Sequence, residues 1–595
     1  MHTGDKYTME ISTMLKDFLD KINELYNIIL QPIDNIYKNI SINKYKKKMN
    51  MDENQYFSSI YYSFIRKNRA KGIVYTPEEI SNYMILNTVK IEDIIDNPFI
   101  KIMDPACGCG NIIIPCYKYL LKLYKENIDT INKSNNINLN KKNLNTHIIK
   151  NNLFGFDIDK NAIKILLIDI FSESNYIYPD NFIHQDFLVE DVLKKFNVII
   201  SNPPYIGQKS IDRDYSLKLK NLYRKVYKDK GDISYCFFQK SILNLEKDGK
   251  ISFITSRYFL ESPSGEELRK IFKELCSIEK IVDFYGIRPF KQVGIDPVII
   301  FLVNSQNMKR DIEIIKPIGD IKKSKKLFYN SIFFNEGKYY KKFYIKKNAL
   351  NNKGWILRDE IERNIINKIE KNSFTALSNI CYSYQGIITG CDRAFIVDDK
   401  TVKNEDIERD ILKPWIKSSS INKDSINENY KYIIYSDSID SKENYPRALD
   451  HISTYKDRLL NRRECKKGIR KWYHLQWGRN KSIFEGEKII FPYKSENNRF
   501  ALDRGSFFSA DVYALKLREN VPFTYEYLLF LLNSRIYEFY FKTFGKKLGE
   551  NLYEYYPNNL MKLCIPTMRD VMEEDYLYNI FKFTEKEIDI IEKQT

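Results

Sequence analysis

The chain has 595 residues, of which 43% are hydrophobic and 14% aromatic, enough apolar material for two or three cores rather than one. Its 95 Lys and Arg against 78 Asp and Glu leave a formal net charge of +17, which favours an anionic partner, nucleic acid first and a ribosomal or membrane surface second. No basic start leads into an apolar run, no window approaches roughly 18 uninterrupted apolar residues, and of nine cysteines only Cys107 and Cys109 are close-spaced; secretion, a membrane span and a bound metal are therefore not expected, and the protein reads as cytoplasmic with reduced thiols.

Met14, Phe18, Ile22 and Tyr26 fall at helical spacing, which predicts a short helical segment over residues 1–70, interrupted by the charged NKYKKKMN (43–50). Between 71 and 345, short apolar runs alternate with longer amphipathic stretches. The strand candidates are FIKIM (99–103), LFGFDI (153–158), NVIISN (197–202), KISFIT (250–255), KIVDFY (280–285) and PVIIFLV (297–303). Such alternation predicts an α/β domain with a mostly parallel sheet covered by helices. INKSNNINLNKKNLN (131–145) reads as a mobile surface loop. Beyond 345 the alternation fades and aromatic residues multiply, so 346–595 is expected to be a separate domain of mixed α and β elements.

Acids stand at the ends of two of these strand candidates, and HQDFL (184–188) adds a third element with an acid. MDPACGCGN (103–111) joins a strand to a helix through a glycine-rich turn that lets backbone approach a ligand. It lacks the Gly-Lys-Ser/Thr of a phosphate loop, and Asp104-Pro105 stands where a dinucleotide fingerprint wants glycine, so a cationic ligand group suits it better than a phosphate. Asp157 in GFDIDKNAI (155–163) and Asp186 in HQDFL (184–188) follow. Each alone could be a solvated acid or a helix cap; three at successive strand ends would meet one ligand at the sheet's C-terminal edge. The next run, VII (198–200), breaks into Ser201-Asn202-Pro203-Pro204-Tyr205, holding an amide and an aromatic ring on a stiff turn.

In this order KGIVYTP (71–77), DPACGCGN, GFDIDKNAI, HQDFL and SNPPY resemble the gamma-class S-adenosylmethionine-dependent DNA adenine-N6 methyltransferases, single chains with a C-terminal target-recognition domain. The resemblance implies a Rossmann-like class I methyltransferase domain over 71–345, with S-adenosyl-L-methionine as cofactor. It implies that Tyr75, Thr76 and Pro77 cover the methionine moiety, that Asp104 and Ala106 contact its amino and carboxylate groups with Cys107 also at the cofactor, that Asp157 takes the ribose hydroxyls, and that Asp186 takes the adenine amino group with Phe187 or Ile158 against the ring. Cys109 replaces the more usual serine. Asn202 and the Pro203 carbonyl would accept the two hydrogens of a target amino group and free its lone pair, with Pro204 fixing their direction; Tyr205, and Phe290 in RPFKQVGIDP (288–297), would stack on a base rotated out of a duplex. Related turns occur in enzymes acting on RNA bases and protein glutamine.

Substrate choice rests on charge. Residues 206–230 carry eight Lys/Arg against three Asp, and 456–481 carry ten Lys/Arg against Asp457 and Glu464, with Trp472, Tyr473, His474 and Trp477 interleaved. Arg462, Arg463, Lys466, Lys467, Arg470, Lys471, Trp472 and Trp477 are thus candidate DNA contacts, a charged helix with packed aromatics being the plainer alternative. YQGIITGCDRAFIV (384–397) resembles the opening of many recognition domains. About 70 residues precede the YTP element without a PD…(D/E)-x-K pattern, so methylation without cleavage is expected. The layout is similar to solitary clostridial adenine methyltransferases, for which double-stranded DNA is the partner, at the nucleoid, and a monomer the expectation. An RNA base methyltransferase, or a DNA-binding module on an inactive fold, are the competing readings.

Overall fold

Nine strands form the central sheet of the computed structural model: β1 (Ile102–Asp104), β2 (Leu153–Asp157), β3 (Phe182–His184), β4 (Phe196–Ser201), β5 (Leu245–Ser256), β6 (Ser277–Asp283), β7 (Pro297–Val303), β8 (Ile312–Pro317) and β9 (Tyr340–Ile345). Their spatial order is β3-β2-β1-β4-β5-β7-β6-β8-β9. The structure describes all residues except 1–2, 68–74, 229–230, 291–293, 306–310, 319–320, 353, 428–430 and 550. β3, β2, β1, β4 and β5 run parallel to one another, β7 enters antiparallel between β5 and β6, and β9 closes the far edge antiparallel to β8. The runs are unbroken because both faces are covered: in β4, Val198 and Ile200 join the core that holds Ile114 and Leu166, while Ile199 joins the one that holds Phe253 and Phe272.

The chain divides into units Met1–Leu357 and Arg358–Thr595. This moves the expected 345/346 boundary, because Leu350, Trp355 and Leu357 are buried in the same core as Phe259 and Phe272. Of the three strands outside the sequence candidates, β3 has two of its three residues exposed, and Lys342 of β9 points to Glu313 of β8 at 2.5 Å, as expected of charged edge positions.

Residues 1–70 are likewise no separate segment. Helices Thr3–Leu30, Asn35–Lys48 and Phe57–Lys67 belong to the first unit, and Phe18, Ile22, Leu25 and Ile29 pack with Ala162, Ile165, Ile168 and Phe171. NKYKKKMN does not interrupt them: most of it is the last turns of helix Asn35–Lys48, with the stem of Lys46 buried and its ammonium on the Glu53 carbonyl. Nor is 131–145 a free loop. Helix Ile113–Asn135 runs into it, Asn132 exchanges two 2.8 Å hydrogen bonds with the Leu139 backbone, and Ile131, Leu139 and Leu144 are buried. Among the described residues no helix is long and apolar enough to cross a membrane.

The second unit is a mixed α+β domain rich in short strands. One four-stranded antiparallel sheet joins Cys381–Gln385, Val512–Leu517, Lys488–Pro492 and Ala501–Asp503; a second joins Ile396–Asp398, Lys431–Ile434, Leu412–Ile416 and Phe507–Phe508 around the fully buried Trp415. LLFLLNSRIYEFYFKTFG forms two helices, Tyr525–Asn533 and Arg535–Phe544.

Candidate functional site

The C-terminal ends of β1, β2 and β4 lie side by side, and the acids, the glycine turn and Asn202 sit there. Gly108 (φ 51°) and Gly110 (φ 91°) take the left-handed conformation that the turn needs. Five consecutive amides of the turn are all taken by protein acceptors. Ala106 N–H donates to Asp104 Oδ1 (3.0 Å), Cys107 N–H to the Phe156 carbonyl (3.0 Å) and Gly108 N–H to Asp157 Oδ2 (2.8 Å). Cys109 N–H donates to the Tyr62 hydroxyl (3.1 Å) and Gly110 N–H to the Cys107 carbonyl (2.9 Å). A turn with its amides so engaged does not cradle phosphate, which needs those donors turned outward.

Burial pushes Asp104 up to about 7, with the Ser201 hydroxyl (2.6 Å) and the Ala106 amide pulling it back. Asp157 is pushed up to about 6, again by burial, opposed by the Asp159 and Gly108 amides. Asp186 Oδ1 accepts the Leu188 amide at 2.9 Å. Of the two residues expected against an adenine ring, Ile158 is 71% exposed at the end of β2, whereas Phe187 is buried, stacked on Phe237 at 5.9 Å, and braces the site from behind. The Cys107 thiol is buried and pressed on Gly155, where a Cβ would stand 2.9 Å from its sulfur, so it packs β1's turn onto β2.

Asn202 follows the last residue of β4, and its Nδ2 donates to Thr76 Oγ1 at 2.9 Å. Thr76 is buried just before helix Glu78–Thr88, for which Pro77 is the cap, and Ser81 of that helix donates to the Asn111 carbonyl at 2.8 Å. The YTP element, the glycine turn and Asn202 are thereby one hydrogen-bonded assembly; residues 71–74 of KGIVYTP lie outside the described residues. Pro203 is buried and Pro204 half-buried. Tyr205 and Phe290 meet with ring centroids 6.0 Å apart, tilted by 48°. They touch each other, so a base between them requires the rings to part to roughly 7 Å, two van der Waals contacts.

Sequence reasoning missed several participants. Tyr62 lies on helix Phe57–Lys67 without any motif around it, and Ser201 carries the link between Asp104 and β4. Asp232, pushed up to about 6 by burial, lies where Gly207 pairs with the chain beyond the NPPY turn, a place marked by no sequence pattern. Arg257 pairs with Asp283 at 3.1 Å at the ends of β5 and β6, and its amide holds the Asp296 carbonyl at 2.9 Å, bracing the loop that carries Phe290.

In the second unit the basic segment is not uniformly a surface. Arg462 is only 9% exposed: its guanidinium donates to the carbonyls of Leu459, Thr389, Trp472 and His474. It is a strut between the GIITG turn and the basic loop, and Gly390 (φ 76°) is small because a Cβ there would stand 2.8 Å from Arg462 Cδ. Arg470 pairs with Asp437 (2.9 Å), and Trp472 is half-buried under Lys456. Arg463, Lys466, Lys467, Lys471 and Trp477 are exposed, as are most basic residues of helix Arg213–Leu222 and its continuation to 228; residues 229–230 of that stretch lie outside the described residues. A cleft of about 610 Å³ is lined by 387–393, Arg458, Ser509 and Ala510.

Comparison with known proteins places names on this arrangement. Residues 117–290 match the Eco57I restriction-modification methylase family, and 413–565 match the TaqI-like C-terminal specificity domain. The chain is 24% identical to the Type II methyltransferase M.BstVI of Geobacillus stearothermophilus, covering 68% of this chain and 73% of that one, and 28% identical to M.HindII of Haemophilus influenzae, covering 59% and 71%. Among solved structures, the Type IIL restriction-modification enzyme MmeI in complex with DNA has a TM-score of 0.54 at 16% identity, covering 85% of this chain and 65% of that one. The DrdV–DNA complex has 0.53 at 14%, covering 90% and 61%, so the chain spans less than two thirds of either. By fold and domain content it is a class I methyltransferase, with S-adenosyl-L-methionine as cofactor. Along the chain, a match to a restriction-modification methylase family is followed by a match to a TaqI-like specificity domain, and the curated relatives are Type II methyltransferases. The residues fit that cofactor: acids for an ammonium and for hydroxyls, and a turn closed to phosphate.

Proposed function

We propose that the chain transfers a methyl group to N6 of an adenine rotated out of duplex DNA at a specific sequence, the gamma-class reaction, as a monomer. The observation that carries this reading is the placement of Asn202, joined through Ser201 to Asp104 and through Thr76 to the YTP element. Asn202 Nδ2 donates to Thr76, and in this reading Asn202 Oδ1 and the Pro203 carbonyl would accept the two hydrogens of the target amino group. Two acceptors draw the nitrogen toward tetrahedral geometry and free its lone pair, and rigid positioning of the reacting groups can contribute several kcal/mol to lowering the barrier. The cofactor supplies an already activated sulfonium methyl, so no strong base is required of the chain. Asp104 and Asp157 orient the donor, Asp186 and Ile158 hold its adenine, and Tyr205 and Phe290 part to hold the target base.

Duplex DNA is supported by the specificity domain, by relatives solved with DNA and by the exposed Arg463, Lys466, Lys467 and Lys471. The test is transfer from methyl-labelled cofactor to long duplex DNA and, separately, to RNA of the same sequence. Label on the duplex alone is expected; label on RNA alone would replace this reading by that of an RNA base methyltransferase.

A further inference from the structure

The N-terminal helices meet the methyl-donor site at one side chain. Helix Phe57–Lys67 is fixed at its start by the buried Asp169 carboxylate, which accepts the Phe57 and Ser58 amides at 3.0 Å each. One turn later Tyr61 donates to Asp159 (2.5 Å), the cap of helix Lys160–Ser174. The next residue, Tyr62, is delivered into the back of the glycine turn. Its hydroxyl oxygen accepts Cys109 N–H (3.1 Å) and Asn111 Nδ2–H (2.6 Å), and a Cβ on Gly108 would stand 2.8 Å from that oxygen. Its ring meets Tyr75 edge-on at 5.3 Å.

We infer that Tyr62 is a positioning residue for S-adenosyl-L-methionine: its hydroxyl holds the 108–111 turn in the shape that binds the donor, which makes the N-terminal helices a working part of the cofactor site. Three features support this. The hydroxyl takes the one turn amide that neither β2 nor the turn itself satisfies, since Gly108 goes to Asp157 and Gly110 to Cys107. The Cys109 amide is buried, so losing its acceptor leaves a donor unsatisfied at a cost that the turn relieves only by changing shape. The same ring touches Tyr75 of the YTP element, so both covers of the donor lean on one residue. The inference rests on the donor site described above.

Tyr62→Phe keeps the ring and its packing and removes only the oxygen. The measurement is cofactor affinity by calorimetry on the full chain without DNA, together with steady-state kinetics and DNA affinity. We expect Kd and KM for S-adenosyl-L-methionine to rise about tenfold, kcat at saturating cofactor to change far less, and DNA affinity to stay within about twofold. Asn111→Ala, which removes a second donor to the same oxygen, should weaken cofactor binding in the wild type but add little in the Tyr62→Phe background. Unchanged cofactor affinity in Tyr62→Phe, full additivity of the two substitutions, or equal losses of cofactor and DNA binding would each overturn the inference. A wild-type chain that binds DNA but not this cofactor would overturn the donor site as well, and is distinguishable from a wild-type chain that binds it indifferently to Tyr62.

Discussion

The donor edge of the first unit and the basic loop of the second are both dense in charged residues, yet charge is used in opposite ways. At the donor edge, Asp104 and Asp157 are drawn into a web of backbone amides, and topology decides where each lies, because each is the last residue of a strand. In the basic loop, Arg462 and Arg463 are adjacent in sequence, but one is buried on four carbonyls and the other is exposed. A strand end fixes the address of a side chain; a charge run in a loop does not, since its members divide between holding the loop and facing a ligand.

The largest expected effect tests the donor edge. Asn202→Ala should lower methyl transfer at least about 100-fold while cofactor affinity stays within several-fold; retained transfer would show that the chemistry lies elsewhere. Next, the two neighbouring arginines should separate. Arg462→Ala leaves carbonyls of Thr389, Trp472 and His474 without their donor and should lower stability by about 3 kcal/mol. Neutralising Arg463, Lys466, Lys467 and Lys471 should leave thermal unfolding unchanged, weaken DNA binding and flatten its salt dependence by about one unit of log–log slope for each phosphate no longer neutralised. Equal melting losses in both variants would erase the distinction between strut and surface.

The smallest effect is in pH. Asp104 of the free chain ionises near pH 7, raised by burial, and an ammonium pairs only with its ionised form. Cofactor affinity should therefore fall about tenfold from pH about 8 to about 6, and binding near pH 7 should release a proton, read as a buffer-dependent calorimetric enthalpy. Because the folded value is raised, this group's contribution to folding stability is present below about pH 4 and is lost as pH rises through about 7, so cofactor affinity and ligand-free stability should move in opposite directions. Binding without proton exchange would remove Asp104 from the ammonium.

The parts of the site legible in the sequence are those with their own backbone grammar. The apolar runs of β1, β2 and β4 announce buried strands, and DPACGCGN and SNPPY announce the turns that end them. Sequence is silent where a residue acts on a distant turn. Tyr62 reaches Cys109 across 47 positions and Asp169 reaches Ser58 across 111, with no local pattern at either end. β8 and β9 stay hidden because Glu313, Lys341 and Lys342 break their apolar alternation. Arg462 misleads for the converse reason: a guanidinium that satisfies carbonyls and one that faces phosphate look identical in a sequence.

The most direct test of the central claim is digestion of the labelled duplex to nucleosides, separated against standards. The account predicts that the label co-migrates with N6-methyl-2′-deoxyadenosine and is lost with Asn202→Ala. Label on a methylated cytosine, or label on adenine that survives that substitution, would contradict it.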